Sequence, residues 1–276
     1  MPALRSRAPA AAAGVLAVVL AGALPVLSAA PAQARTSCVP PPVAHRGASA
    51  SAPENTRPAF RKALAGGVRN LEMDVHFSSD NVPVVIHDRT VNRTTNGTGA
   101  VAGLDLAALR RLDAGSWFGK AYRGTRVPVL REVLQDGKRY RARYFVELKV
   151  RPSPLQLQNL LAAFGGLDVA RRVVVTSFDA AALADVRTAA PHLRTALVDT
   201  GFRPSASVLE NGNAYLPPYR SVNAARARQW RSAGVEVFPW VVQRQRDWSR
   251  LAADRVSGTI TDAPVKYLRW ARARCS

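Results

Sequence analysis

The sequence predicts an α/β fold, a single (β/α)8 TIM barrel with a cap-like insertion after the second strand. Three observations support this prediction. Short apolar runs alternate with amphipathic stretches, one run follows its predecessor too closely for a parallel crossover, and the length suits one large domain. Of the 276 residues, 242 remain once the first 34 are set aside as a leader, close to the roughly 250 of a typical barrel of this class.

The leader is predicted to be a secretory signal peptide covering residues 1–34. Arg5 and Arg7 precede an alanine-rich apolar run, and Ala32-Gln33-Ala34 then supplies a small-x-small cleavage site. A retained membrane anchor is the alternative, but a proline interrupts the run and the cleavage-type site follows it. We therefore expect residues 35–276 to form the barrel domain of a secreted, extracellular protein.

The strands and helices are assigned from hydrophobic periodicity. Nine runs have the length and composition of strands, at 42–45, 70–75, 83–87, 144–150, 172–177, 195–199, 214–216, 235–241 and 258–261. Five amphipathic stretches between or after them are predicted helices, at 56–65, 154–164, 180–189, 222–233 and 264–273. This alternation indicates a parallel sheet covered by helices.

The run at 83–87 is the exception. Only a short polar segment separates Val75 from Pro83, whereas a parallel crossover needs a dozen residues or more. We therefore expect this run to fold back as a hairpin or loop over the barrel mouth, which leaves eight strands to close the barrel. The segment that follows, about 88–143, is the insertion and a candidate lid.

Charged residues alternate on two predicted strands near the same mouth. Glu72 and Asp74 share one face of the second strand, and Glu147 and Lys149 share one face of the third. Carboxylates that point into an apolar barrel are costly unless they bind a cation, and ordinary solvent-facing charges would not explain the pairing. His76, at the end of the second strand, is expected to face solvent.

The motifs along the chain resemble those of the glycerophosphodiester phosphodiesterase family over almost the whole mature length. Each motif is weak alone, but their order and spacing together are specific. They are His45-Arg46-Gly47, Pro53-Glu54-Asn55-Thr56, Glu72-Met73-Asp74, His87-Asp88, Glu147-Leu148-Lys149, Ser177-Phe178, Trp240 and Thr261-Asp262-Ala263-Pro264.

The resemblance implies a barrel enzyme that uses a divalent cation to hydrolyse glycerophosphodiesters to glycerol 3-phosphate and an alcohol. It implies that Glu72, Asp74 and Glu147 are metal ligands and that His45 and His87 are the catalytic acid/base pair. An all-oxygen ligand set suits Ca²⁺ or Mg²⁺ better than a soft metal. Which histidine is the acid and which is the base stays open.

The same resemblance implies substrate-binding roles for three further residues. Arg46 and Lys149 correspond to phosphate contacts, and Trp240 either walls the glycerol pocket or fills the barrel top. Glu54 either supports the metal site from behind or merely begins the first helix.

Two competing functions follow from the same features. A phospholipase D or sphingomyelinase D-like enzyme shares the barrel and the histidine and acid pattern, but such enzymes lack an insertion of this kind. A noncatalytic binder of anionic polymer would use the net charge, which falls from +20 to +18 when the two leader arginines are removed. It would not need two histidines together with three acids.

The expected partners are small-molecule or lipid-derived glycerophosphodiesters, with polyglycerol phosphate as a further candidate. We expect no nucleic acid and at most peripheral membrane contact. Val241 and Gln243 stand where the family commonly has Thr and Asn, so the preference for the alcohol or glycerol stays open.

The two cysteines, Cys38 and Cys275, lie at opposite ends of the mature chain. A closed barrel brings its first strand beside its last helix, so in a secreted protein we expect a disulfide that joins the ends. Two unpaired thiols are the alternative.

Overall fold

The computed structural model describes residues 38–275, so the predicted signal peptide lies outside the described residues. The strands are β1 (Pro42–Ala44), β2 (Asn70–Phe77), β3 (Pro83–Val85), β4 (Arg143–Leu148), β5 (Val173–Ser177), β6 (Arg194–Val198), β7 (Ala214–Leu216), β8 (Glu236–Val237) and β9 (Thr259–Thr261). The α-helices are α1 (Arg57–Ala65), α2 (Leu106–Arg111), α3 (Leu130–Lys138), α4 (Pro154–Ala163), α5 (Val169–Arg172), α6 (Ala180–Ala189), α7 (Ser205–Leu209), α8 (Ala224–Ser232), α9 (Gln245–Ala253) and α10 (Pro264–Cys275). Within 38–275, no helix has the length and apolar character needed to cross a membrane.

Eight parallel strands form the barrel, in the order β8-β7-β6-β5-β4-β2-β1-β9. Strand β8 is shorter than the predicted run at 235–241, but the backbone beyond it closes the barrel against β9. The Ile260 amide donates to the Pro239 carbonyl at 3.0 Å, and the Val242 amide donates to the Ile260 carbonyl at 2.9 Å. The predicted (β/α)8 barrel is confirmed.

Strand β3 is antiparallel to β2 and stands outside the barrel path. Val85 lies opposite Val75 and Pro83 lies opposite Phe77, so the chain folds back on itself as the short connection requires. The Ile86 amide then donates to the Asp74 carbonyl at 3.0 Å. This pairing carries the next residue, His87, over the carboxyl end of β2.

The barrel interior is apolar below its mouth. Phe145 and Phe238 meet at 4.8 Å between ring centroids, and the smaller side chains around them are Val43, Val174, Ala196, Val198, Ala214, Leu216 and Ile260. A second and larger core lies between the strands and the helices. Because both faces of the strands are buried, polar side chains are confined to the ends of the barrel.

The segment after β3 packs around a small core of its own, made by Val84, Ile86, Val91, Val101, Leu109, Ala114 and Val127. Helix α2 within it is capped by Asp105, whose carboxylate accepts from the Ala108 amide at 2.6 Å. Helix α3 falls inside the predicted insertion at 88–143 but packs against α1, where Asp136 binds Arg57 at 2.7 Å. The insertion therefore leads directly into the helical wall of the barrel.

The ends of the described chain meet. Strand β1 pairs with β9, and the Tyr267 hydroxyl of α10 donates to the Pro40 carbonyl at 2.7 Å. Cys38 and Cys275 form a disulfide with a Cα–Cα distance of 5.6 Å. The structure thus contains the predicted bridge, which spans 237 positions of sequence.

Candidate active site

A cavity of about 200 Å³ opens at the carboxyl ends of the barrel strands. Eight of the predicted site residues line it: His45, Arg46, Glu72, Asp74, His87, Glu147, Lys149 and Trp240. Glu54, the ninth, lies behind Arg46 rather than in the wall. The active sites of (β/α)8 barrel enzymes lie at the carboxyl end of the parallel strands, because the loops after several strands converge there.

Three buried carboxylates form an acidic cluster in this cavity. Glu72, Asp74 and Glu147 come from β2 and β4, and each offers an oxygen within 4.8 Å of the others. Glu72 Oε1 is buried and has no hydrogen-bond partner among the described residues. An oxygen-only donor set with an unsatisfied buried carboxylate oxygen fits a hard divalent cation such as Ca²⁺ or Mg²⁺.

The three acids strongly affect one another's pKa values. Burial, together with the charge of Asp74, raises the pKa of Glu72 to about 8, and the same two causes raise the pKa of Glu147. Burial would also raise the pKa of Asp74, but the cations of Arg46 and Lys149 lower it. When all three are ionised, the carboxylates carry one more charge than Arg46 and Lys149 compensate, which is the electrostatic setting that favours a bound cation.

Arg46 and Lys149 flank the acids. The Arg46 amide donates to Glu72 Oε2 at 2.8 Å, and its Nε lies 3.2 Å from Asp74 Oδ2. Lys149 Nζ lies 2.5 Å from Glu147 Oε1 and 3.5 Å from Asp74 Oδ1. Both cations line the cavity, so they present positive charge to it.

His45 stands at the end of β1 and is held by Asp262. Its Nδ1 is 2.6 Å from Asp262 Oδ1, which also accepts from the Ser49 hydroxyl at 3.1 Å, while Gln243 binds the other oxygen. Burial would lower the pKa of His45, but the Asp262 hydrogen bond and the charge of Glu72 raise it overall. Because Nδ1 is occupied, Nε2 is the nitrogen available for proton transfer.

His87 is held in the same manner by its neighbour Asp88. Its Nδ1 lies 2.6 Å from Asp88 Oδ1. Burial lowers the pKa of His87 overall, although Asp74 and the Asp88 hydrogen bond oppose that shift. The pKa values of the two histidines are therefore shifted in opposite directions, although both residues line one cavity.

His76 corrects one expectation. It was expected to face solvent, but only 5% of it is exposed, and its Nε2 is 3.1 Å from the His87 carbonyl oxygen. The reason is the fold-back, because β3 pairs with the last residues of β2 and covers that end of the strand. His76 thus supports the backbone that carries His87.

Several residues that the sequence did not single out hold the site in place. Asn55, at a φ of 54°, donates from Nδ2 to Asp74 Oδ2 at 2.7 Å. Asp88 and Asp262 orient the histidines, and Arg93 binds Asp88 from the insertion at 2.7 Å. The sequence does offer one indication of Asp88 and Asp262, since each lies inside a recognised motif. A motif does not show, however, which atoms meet.

An aromatic wall faces the charged side of the cavity. The Trp240 ring meets Phe178 edge-on at 5.9 Å, and its Nε1 donates to the Leu216 carbonyl at 2.8 Å. Val241 also lines the cavity, whereas the Gln243 amide is directed at Asp262. Val241 and Gln243 are the two departures from the family pattern. Val241 therefore changes the cavity wall, and Gln243 acts on His45 only through Asp262.

Acid/base groups beside oxygen ligands at the mouth of a parallel barrel define a hydrolytic barrel enzyme. The glycerophosphoryl diester phosphodiesterase family model matches residues 45–266, and the chain belongs to this family. A glycerophosphodiester phosphodiesterase of Caldanaerobacter subterraneus subsp. tengcongensis is 34% identical over 235 residues, 83% of this chain and 97% of the relative.

Solved structures share the fold. A glycerophosphodiester phosphodiesterase from Agrobacterium tumefaciens is 30% identical with a TM-score of 0.74, covering 84% of this chain and all of its own. An Oleispira antarctica phosphodiesterase in complex with the product sn-glycerol-3-phosphate is 24% identical with a TM-score of 0.77, covering 85% and 97% of the two chains.

Proposed function

We propose that this enzyme is a secreted, metal-dependent hydrolase that cleaves glycerophosphodiesters to glycerol 3-phosphate and an alcohol. The observation that carries the proposal is that two aspartate-bound histidines share one cavity with three buried carboxylates. Acid/base groups and a cation site at one phosphate-sized position are what a phosphodiesterase needs.

The residues divide the chemistry among them. Arg46 and Lys149 bind the phosphoryl oxygens, and a cation held by Glu72, Asp74 and Glu147 would supply further charge neutralisation. One histidine removes a proton from the nucleophile, either water or the neighbouring glycerol hydroxyl. The other donates a proton to the leaving alcohol oxygen. The hydroxyl route forms a cyclic phosphate, which water must then open to give glycerol 3-phosphate.

The aromatic wall and the mature charge of +18 bear on the substrate. Trp240 and Phe178 offer apolar surface to the glycerol carbons, and the positive charge favours encounter with anionic esters. We propose small-molecule or lipid-derived glycerophosphodiesters as substrates, with polyglycerol phosphate as a longer candidate.

Two features support an extracellular location. The leader has the composition of a signal peptide, and the disulfide between Cys38 and Cys275 suits an oxidising compartment. Preparing the protein from culture medium and sequencing its amino terminus tests this, because cleavage after Ala34 would leave Arg35 first.

The first experiment assays purified protein on glycerophosphocholine, glycerophosphoethanolamine, lysophospholipid and polyglycerol phosphate, with and without EDTA. We expect release of glycerol 3-phosphate, or of its acyl ester from the lysophospholipid, that EDTA abolishes and Ca²⁺ or Mg²⁺ restores. Glu72→Gln should lower the activity by about 100-fold or more, because it removes one charge from the ligand set. Glu210→Gln, at an exposed glutamate, is the matched control.

Two outcomes would count against the proposal. Full activity in EDTA would contradict the cation site. A cyclic phosphate product without glycerol 3-phosphate would instead indicate the phospholipase D-like alternative.

A further inference from the structure

One side chain of the insertion binds two carboxylates at once. The Arg93 guanidinium donates from Nε to Asp88 Oδ2 at 2.7 Å and from Nη2 to Asp88 Oδ1 at 3.0 Å. It also donates from Nη1 to Glu54 Oε2 at 2.9 Å and from Nη2 to Glu54 Oε1 at 2.8 Å. Two-point contacts of this kind fix the planes of both carboxylates relative to the guanidinium.

Each of those carboxylates holds a residue of the cavity wall. Asp88 Oδ1 meets His87 Nδ1 at 2.6 Å, and Glu54 Oε1 accepts from Arg46 Nη1 at 2.8 Å. Arg93 is therefore the midpoint of a continuous series of hydrogen bonds that runs from His87 to Arg46. Positive and negative groups alternate along the series from Arg46 to Asp88.

We propose that Arg93 is a positioning residue that fixes His87 and Arg46 relative to each other, so that the proton-transfer group and the phosphate-binding group keep a constant relative position. The insertion then holds active-site residues in position, in addition to being a candidate lid. The kinetic part of this inference rests on the proposed function.

The geometry assigns Arg93 no direct contact with substrate. A guanidinium has five N–H donors, and the contacts to Asp88 and Glu54 use four of them. Arg93 is not one of the described residues that line the cavity, whereas His87 is. Arg93 acts through the two carboxylates.

The backbone that presents Arg93 is fixed by its own turn. Thr95 Oγ1 donates to the Val91 carbonyl at 2.7 Å, and the Gly97 amide donates to the same hydroxyl oxygen at 3.0 Å. The Gly99 amide donates to Asn92 Oδ1 at 2.9 Å. These contacts hold the main chain on both sides of Arg93, so this segment needs little further ordering when substrate binds.

A purely stabilising surface ion pair is the competing interpretation, since 45% of the Arg93 side chain is exposed. Exposed pairs contribute little to stability, and their loss leaves kinetics unchanged. If Arg93 instead positions His87, its removal leaves two carboxylates facing each other without the cation between them. The His87 ring then loses its fixed partner, and turnover falls.

The test compares Arg93→Ala and Arg93→Lys with wild type, with Arg89→Ala as control because Arg89 is another exposed arginine of the insertion. For Arg93→Ala we expect kcat to fall about 10- to 100-fold and KM to change less than about threefold. Arg93→Lys should restore only part of the loss, because an ammonium cannot form both forks. Added guanidinium ion should partly rescue Arg93→Ala, since the vacated site is open to solvent.

A second measurement does not depend on turnover. In wild type, the His87 Nδ1 proton should give a downfield, exchange-protected nuclear magnetic resonance signal, and Arg93→Ala should lose it while Arg89→Ala keeps it. Unchanged kcat with an unchanged signal would overturn the inference, as would a loss of activity that guanidinium does not rescue and that tracks unfolding. If wild type releases no glycerol 3-phosphate, the proposed function fails, and the His87 signal still decides the role of Arg93.

Discussion

At the scale of single residues, the two histidines reach the same hydrogen-bonding state by different routes. Asp88 is the next residue after His87, whereas Asp262 is 217 positions from His45 and arrives only when the last strand closes the barrel. Each aspartate accepts from Nδ1 and so selects the tautomer that leaves Nε2 without a proton. The His45 pair therefore depends on the complete fold.

Asp262→Asn tests that dependence. The amide keeps the shape but removes the charge that raises the pKa of His45, and its NH2 group can turn the imidazole to the wrong tautomer. We expect kcat to fall about 10- to 100-fold, with a smaller change in KM. Wild-type kcat in Asp262→Asn would contradict the role, and Asp185→Asn, which breaks an exposed pair with Arg151, is the control.

The sequence predicted the residues that line the cavity but not those that hold them. Glu72, Asp74 and Glu147 were recognisable because alternation along a strand fixes the face on which each side chain lies. Asp262 and Arg93 were not, because their partners are set by barrel closure and by the path of the insertion. Such contacts have no fixed spacing along the chain.

At the scale of elements, the loop between β1 and α1 is shaped by left-handed residues. Arg46 and Asn55 both have φ of 54°, and both contact Asp74. Gly47 between them has φ of 87° and packs against the start of α1. Backbone strain of this kind persists where the surrounding structure holds it, which here is the acid cluster.

Gly47→Ala should damage both stability and activity. A Cβ at this position would lie 2.7 Å from the Ala59 carbonyl carbon and the Ala59 Cβ, and alanine disfavours the positive φ. We expect a loss of roughly 2 kcal/mol or more, which lowers Tm by about 4–8 °C in a domain of this size. Thermal melting measures it against Gly201→Ala, where an added Cβ meets nothing within 4 Å. Equal melting temperatures would contradict the packing argument.

The elements themselves were predicted unevenly. The fold-back of β3 followed from the shortness of its connection, a geometric constraint that leaves no alternative. Helix α9 was not predicted, although its two buried residues, Trp248 and Leu251, are three positions apart and so share one face of the helix. His76 was misplaced because the pairing of β3 buries a position that strand alternation alone leaves at an end.

At the scale of the whole molecule, the barrel has a charged mouth, an apolar middle and a charged base. Glu236 at the start of β8 binds Arg143 at 3.0 Å and also binds Arg194, so three alternate strands meet at the base. The Arg143 guanidinium lies 5.1 Å from the centroid of the Phe145 ring. This ion-pair cluster thus closes the base of the barrel beneath the aromatic layer. Conservative changes there should affect stability without affecting the chemistry at the opposite end.

Glu236→Gln gives a stability change with a defined pH dependence. Burial would raise the pKa of Glu236, but Arg143 and Arg194 lower it below its usual value of 4.5. A carboxyl group with a depressed folded-state pKa adds stability that is present above pH 4.5 and is lost as the pH falls through the folded-state value. At pH 7 we therefore expect Glu236→Gln to be less stable by about 1 kcal/mol, since partial exposure screens the cluster.

The measurement is Tm of both proteins between pH 7 and pH 3. The gap should be about 2–4 °C at pH 7, shrink as the pH drops below about 4.5 and disappear when Glu236 is protonated in the folded wild type. Turnover at pH 7 should stay at the wild-type value, because Glu236 is at the other end of the barrel from His45. Glu210→Gln should show no such gap at any pH, as its side chain is exposed. A gap that persists unchanged at pH 3 would mean that packing, and not charge, is what Glu236 contributes to the base.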